Sequence, residues 1–223
     1  MHLITFATPS HIAHANNLVK SALAHGFTTS RVYTPEDLSP EFIRANAALF
    51  MAHRAGYWVW KPWIILDYMC SQPTGQIVCY SDSMYLVKGS MEPLVTAWLA
   101  DSACDIAITH NKPNEPSFPE CAWSKADAFA QLQMTMDDAT PQAWAGFLVM
   151  RVSPASIDFV RRWLGLAQTD LITDAPSRLP NHPSFKENRH DQTVLSLLAK
   201  REGIPFHTFP PSPLYNLRVP PHI

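Results

Sequence analysis

Glycine is scarce in this chain: 7 residues in 223, at positions 26, 56, 75, 89, 146, 165 and 203. No two stand close enough to form G-x-G, which excludes both the Gly-rich dinucleotide fingerprint and the phosphate-cradling P-loop. Any phosphate bound here must be held by side chains, a metal or a helix N-terminus. An excess of one charge is missing too: 17 Lys+Arg stand against 19 Asp+Glu, for −2 with the ten histidines neutral. No basic stripe advertises nucleic acid, and no polybasic run marks an anionic membrane surface. The four cysteines (70, 79, 104, 121) form no C-x-x-C, which argues against a zinc ribbon or a thioredoxin-type centre. They read as buried free thiols of a reducing compartment. No apolar run reaches transmembrane length, and the first ten residues lack the charged and long apolar regions of a signal peptide. H-E-x-x-H, H-x-H and G-x-S-x-G are absent as well. The expectation is a soluble, cytoplasmic protein.

What is present is a normal hydrophobic content of 47%, seven tryptophans, and short apolar runs alternating with helical patterns. Leu3–Ala7, Arg31–Tyr33, Gln76–Tyr80, Asp105–Thr109, Ala145–Val152 and Phe206–Phe209 read as strands. Helices are expected over Ser10–His25, from Ser39-Pro40-Glu41, from Lys61-Pro62, and over Ser90–Ala100, Ser124–Met134 and Arg189–Glu202. Another starts at the Ser153-Pro154 cap. This alternation predicts one α/β domain with a mainly parallel central sheet flanked by helices. The polar stretches 110–123 and 169–188 exceed ordinary connections and are candidate substrate-facing loops.

Three segments hold candidate chemistry. Tyr80-Ser81-Asp82 puts an acid where an apolar strand runs out, the edge at which ligands gather in open parallel sheets. A carboxylate there is a hard ligand for Mg²⁺ or Mn²⁺, or simply a cap of the next turn. His53-Arg54-Ala55-Gly56-Tyr57-Trp58-Val59-Trp60-Lys61-Pro62-Trp63 sets two cations among aromatics before a helix N-terminus. That pattern suits phosphate, although most of the rings are expected in the core. Asn188-Arg189-His190-Asp191-Gln192 offers a cation, a metal-ligand type and a carboxylate at the start of the last long helix, or ordinary first-turn capping.

In order, these segments resemble bacterial GT-A-type, nucleotide-sugar-dependent glycosyltransferases of capsule and surface-polysaccharide loci. The resemblance runs through Phe6-Ala7-Thr8, Arg54-x-Gly56-Tyr57-Trp58-x-Trp60-Lys61-Pro62, Tyr80-x-Asp82 and Trp123-x-Lys125-x-Asp127-x-Phe129. It continues through Ala145-Gly146-Phe147, Trp163, Leu171-Ile172-Thr173-Asp174 and His190-Asp191-Gln192.

It implies a single GT-A domain over 1–223, with a donor half of about 1–110, an acceptor half of about 111–209 and a proline-rich tail, 210–223. It implies a sugar moved from a nucleotide sugar, UDP-sugar first among them, to a glycan or lipid-linked glycan at the inner face of the membrane. Thr8, Arg54, Trp60, Lys61 and Asp82 would serve the donor; Lys125, Asp127 and Gly146 the acceptor side; Asp191 and His190 the chemistry; and Asp82 with His190 a Mn²⁺ or Mg²⁺ ion. Where the family's acidic motif reads Asp-x-Asp, this chain has Met84 as the second residue. That departure supports an alternative, an inert GT-A-like carbohydrate- or nucleotide-binding module.

Overall fold

The computed structural model describes residues 1–53, 55–100, 102, 104–110, 117–136 and 139–210. Among them, the strands β1 (His2–Phe6), β2 (Thr29–Tyr33), β3 (Ile77–Ser81), β4 (Ile106–Thr109), β5 (Trp144–Arg151) and β6 (Phe206–His207) form one sheet. Its order is β2-β1-β3-β5-β4-β6. All pairs are parallel except those of β5, which runs antiparallel to both β3 and β4. The helices are α1 (Ile12–Ala24), α2 (Pro40–Ala45), α3 (Ala47–Ala52), α4 (Trp60–Cys70), α5 (Glu92–Ala100), α6 (Glu120–Trp123), α7 (Ala126–Gln131), α8 (Pro154–Ala167) and α9 (Asp191–Arg201). None is long and apolar enough to cross a membrane.

Alternation along the strands builds a layer on each face of the sheet. Ile4, Val78, Tyr80, Ile106, Ile108, Leu148 and Met150 pack with residues of α4, α8 and α9. Their neighbours Leu3, Cys79, Ala107 and Val149 pack on the opposite side with Leu18, Val95, Trp98 and Phe209. The expected caps are present: Ser39 accepts from the Phe42 N–H and Ser153 from the Ser156 N–H.

Several elements differ from the sequence expectation. α9 starts at Asp191 rather than Arg189, because His190 takes a non-helical φ of 55°. The helix expected over Ser124–Met134 is only α7, closed by Gln133 at φ 56°. α3 and α6 were not foreseen, being too short to show a period. Cys79 and Cys121 are buried, but Cys70 is exposed. The proline-rich tail beyond Pro210 lies outside the described residues.

The reversal of β5 shapes the site. Its N-terminal residues lie at the carboxyl edge of β3, with Ser81 opposite Phe147 and the Asp82 N–H donating to the Gly146 carbonyl at 2.9 Å. A buried polar chain fixes this edge from below. The fully buried Glu120 carboxylate accepts from the Ser124 and Ser196 hydroxyls and from the Gln142 amide at 3.0 Å, and pairs with Lys200 at 3.0 Å. Gln142 in turn accepts from Gln192 at 2.7 Å, and Gln192 accepts from the Ala145 N–H at 3.1 Å.

Glu120→Ala removes the shared acceptor of the Ser124 and Ser196 hydroxyls and the carboxylate partner of Lys200, so denaturant unfolding should show a loss of about 3–5 kcal/mol. Burial raises the Glu120 pKa above its ordinary 4.5 despite Lys200. Its favourable contribution is therefore full below that value and declines as pH rises through the raised one. Glu120→Gln should gain stability relative to wild type across that window.

Candidate active site

Lys61, in the first turn of α4, is 4% exposed. Its Nζ donates to the Ala145 carbonyl at 3.2 Å and lies 3.1 Å from Asp191 Oδ2 and 3.7 Å from Asp82 Oδ1. Burial alone would depress this ammonium, but the two carboxylates outweigh it and the pKa is raised, so Lys61 remains a cation. Burial likewise raises Asp191, against the pull of Lys61 and with help from Asp82. Asp191 Oδ2 has no aligned hydrogen bond among the described residues, so its contact with Lys61 is an ion pair. Asp82 is the partner facing the cleft, its side chain 39% exposed, and its Oδ1 accepts from the Tyr80 hydroxyl at 2.7 Å. Two carboxylates around one ammonium leave the cluster at −1 when both are ionised.

Two cavities meet at this cluster, and Trp58 and Asp82 line both. The smaller, about 210 Å³, is lined by Lys61, Gly146, His190 and Asp191 together with Phe118, Trp144 and Arg189. The larger, about 460 Å³, is mostly apolar, with Phe6, Thr8, Leu38, Phe50, Trp60 and Met84 in its wall. Phe6 and Trp60 stack there with centroids 3.9 Å apart.

The partition between them is made by an unusual turn. Gly56, Tyr57 and Trp58 hold φ of 57°, 51° and 60°, three left-handed residues in succession, two of which carry side chains. Gly56 permits close approach, since a Cβ there would come within 2.5 Å of the Phe50 ring. The Trp58 ring faces His190, with centroids 5.2 Å apart and planes 25° apart, and the Tyr57 ring stacks on His53 at 4.7 Å. His190 Nδ1 donates to the Ile172 carbonyl at 2.9 Å, leaving Nε2 as its acceptor nitrogen.

Of the residues singled out from sequence, Thr8, Trp60, Lys61, Asp82, Gly146, His190 and Asp191 line the two cavities. Arg54 lies outside the described residues. Lys125 and Asp127 stand elsewhere. Lys125 donates to the Asp170 and Thr173 carbonyls at 2.6 and 3.3 Å, and Asp127 accepts from the Arg178 and Leu179 N–H groups at 3.0 and 3.1 Å. Both anchor the segment leading toward His190. Sequence reasoning missed Gln142 and Trp144 as cavity wall, named Arg189 as a cation of the His190-Asp191 segment without assigning it a role, and treated Trp58 mainly as core. Gly146 has a second explanation, two residues after Trp144 on the same strand face: the Trp144 indole covers it, and a Cβ would lie 2.4 Å from that ring.

Among the described residues, no group of three or more His, Cys, Asp or Glu gathers as a metal cage. Met84 is no ligand for a hard cation, and Asp191 is engaged with Lys61. Asp82 remains, an exposed carboxylate in a cluster with an uncompensated negative charge. One carboxylate with substrate phosphates and waters is a normal setting for Mg²⁺, so the donor set fits an ion that arrives with a diphosphate. His190 adds at most its Nε2.

No family model matches the chain, and no curated protein matches its sequence. Solved structures do match over most of its length. The apo form of mouse xyloside xylosyltransferase 1 is 12% identical with a TM-score of 0.49, over 93% of this chain and 84% of that one. The apo WbbM bifunctional glycosyltransferase is 13% identical with a TM-score of 0.50, over 89% of this chain and 37% of that one. An active-site mutant of LgtC is 14% identical with a TM-score of 0.50, over 89% and 70%. At such identity the likeness speaks for the fold, and the fold of this chain is the GT-A fold of glycosyltransferases.

Proposed function

We propose that the chain is a glycosyltransferase that moves a sugar from a nucleoside-diphosphate sugar to a hydroxyl of a glycan or lipid-linked glycan. One observation carries this reading: two cavities of different character share Trp58 and Asp82, with the Lys61 ammonium 3.7 Å from Asp82 at their seam. The larger apolar cavity suits a nucleoside, its base against Phe6 and Trp60 with Thr8 beside it. The seam suits a diphosphate, and the smaller cavity the reacting sugar and acceptor. The sequence resemblance adds a UDP-sugar as donor, Arg54 as a second phosphate cation, and a role in bacterial surface-polysaccharide assembly at the inner face of the membrane.

Transfer breaks the bond from the anomeric carbon to the diphosphate oxygen and forms one from the acceptor oxygen to that carbon. Negative charge builds on the diphosphate beside Lys61, which stays protonated there. The acceptor proton passes to Asp191, whose carboxylate burial makes more basic. His190, packed on Trp58, walls the acceptor side. Mn²⁺ or Mg²⁺ held by Asp82, when bound, supplies further neutralisation of the diphosphate. Lys125 and Asp127 hold the segment that leads toward His190. The second reading, an inert carbohydrate- or nucleotide-binding module, rests on Met84.

Incubation with UDP-, GDP- and CMP-sugars and Mn²⁺ should release free sugar and nucleotide from one of them. A nucleotide-induced rise in melting temperature without hydrolysis would favour the inert module. Asp191→Asn should lower kcat by about 10²–10⁴-fold while nucleotide affinity changes little, and full activity would remove Asp191 as the base. Gly146→Ala should push the Trp144 indole into the smaller cavity, at a cost of about 1–3 kcal/mol in stability. Transfer kinetics should show a raised acceptor KM with nucleotide affinity retained.

A further inference from the structure

The wall of the smaller cavity carries two charged groups. One is Asp82 and Asp191 around Lys61, a net negative cluster when both acids are ionised. The other is Arg189, whose guanidinium carbon lies 4.1 Å from the Trp123 ring centroid and 5.9 Å from that of Phe118. The Arg189 backbone is also pinned, its N–H shared between the Trp123 carbonyl at 3.1 Å and the Thr193 hydroxyl at 3.2 Å. A guanidinium resting on an aromatic face keeps its N–H groups in its own plane, directed away from that ring. Arg189 has five such donors, and its one polar side-chain partner among the described residues is Glu187, at 3.1 Å from Nη1. Glu187 is itself a surface group, its side chain 59% exposed. Lys186 stands 5.3 Å from the same Trp123 ring but lines a neighbouring cavity, so Arg189 is the cation that this part of the wall presents.

Resting on the transferase reading, we propose that the acceptor carries an anionic group, a carboxylate or a phosphate, that Arg189 binds. Such a group is repelled by Asp82 and Asp191 and attracted by Arg189. The acceptor is thereby turned so that a hydroxyl, and not its charged substituent, approaches Asp191. A neutral sugar hydroxyl also accepts from a guanidinium, but without the opposite charge and the paired oxygens that make the bond to an anion stronger. Arg189 is a specificity-determining residue on this account, with Trp123 as the platform that orients it.

The test compares methyl β-D-glucuronide, methyl β-D-glucoside 6-phosphate and neutral methyl β-D-glucoside as ligands of the full chain by NMR titration. At least one of the two acids should bind about tenfold more tightly than the neutral glycoside, and that advantage should shrink with added salt. Which acid binds better distinguishes a uronate from a phosphate. Arg189→Gln should abolish the preference and Arg189→Lys restore part of it, with circular dichroism showing that both variants fold. Equal binding of all three by wild type, no binding of either acid, or a preference that survives Arg189→Gln would overturn the inference. Wild-type donor hydrolysis, measured beside it, reports on the transferase reading separately: if that is absent, the reading itself fails.

Discussion

A buried ammonium is costly unless its protons and charge are met, and Lys61 is met from three directions at once. Asp191 comes from the start of α9, Asp82 from the end of β3, and the Ala145 carbonyl from the start of β5. None of these segments adjoins another in sequence, so the ion cluster forms only when the sheet has closed with β5 reversed beside β3. The same condition creates the cleft. Packing, charge satisfaction and site assembly are therefore one event in this chain.

The cluster leans on a second buried polar system. Glu120, Gln142 and Gln192 pass hydrogen bonds from the α6–α9 contact to the Ala145 N–H, while the Ala145 carbonyl faces Lys61. The two peptide units flanking the Ala145 Cα are thus each held by a side chain, which leaves the N-terminal end of β5 little freedom to move. On the opposite wall, rigidity takes another form. The left-handed Gly56–Trp58 turn is held both by backbone hydrogen bonds, from the Gly56, Trp58 and Val59 N–H groups to the His53, Ala55 and Gly56 carbonyls, and by stacking on His53 and His190. Strain of this kind persists only where its surroundings enforce it, and here it sets the Trp58 ring between two cavities.

Much of this was legible in the residues. The strands with unbroken apolar runs and the Ser-Pro caps were found because burial and capping leave local signatures. Asp82, His190 and Asp191 were marked because polar groups at the ends of apolar elements stand out. Trp58 packs half-buried against the core, as expected, and also lines both cavities, which the sequence does not signal because a left-handed non-glycine turn leaves no local pattern. Glu120 and Gln142 left no trace, since a buried polar chain is defined by partners far away in sequence. Lys125 and Asp127 were drawn toward the acceptor by resemblance alone, whereas their hydrogen bonds show them clamping a loop.

Lys61 is a fixed cation where the two cavities meet, and the proposed function puts a nucleoside in one of them and a sugar in the other. A crystal structure of the chain with a bound nucleoside diphosphate tests this most directly. It should show a phosphate oxygen within hydrogen-bond distance of Lys61 Nζ and the base against Phe6 and Trp60. A nucleotide bound elsewhere, with Lys61 untouched between Asp82 and Asp191, would contradict it.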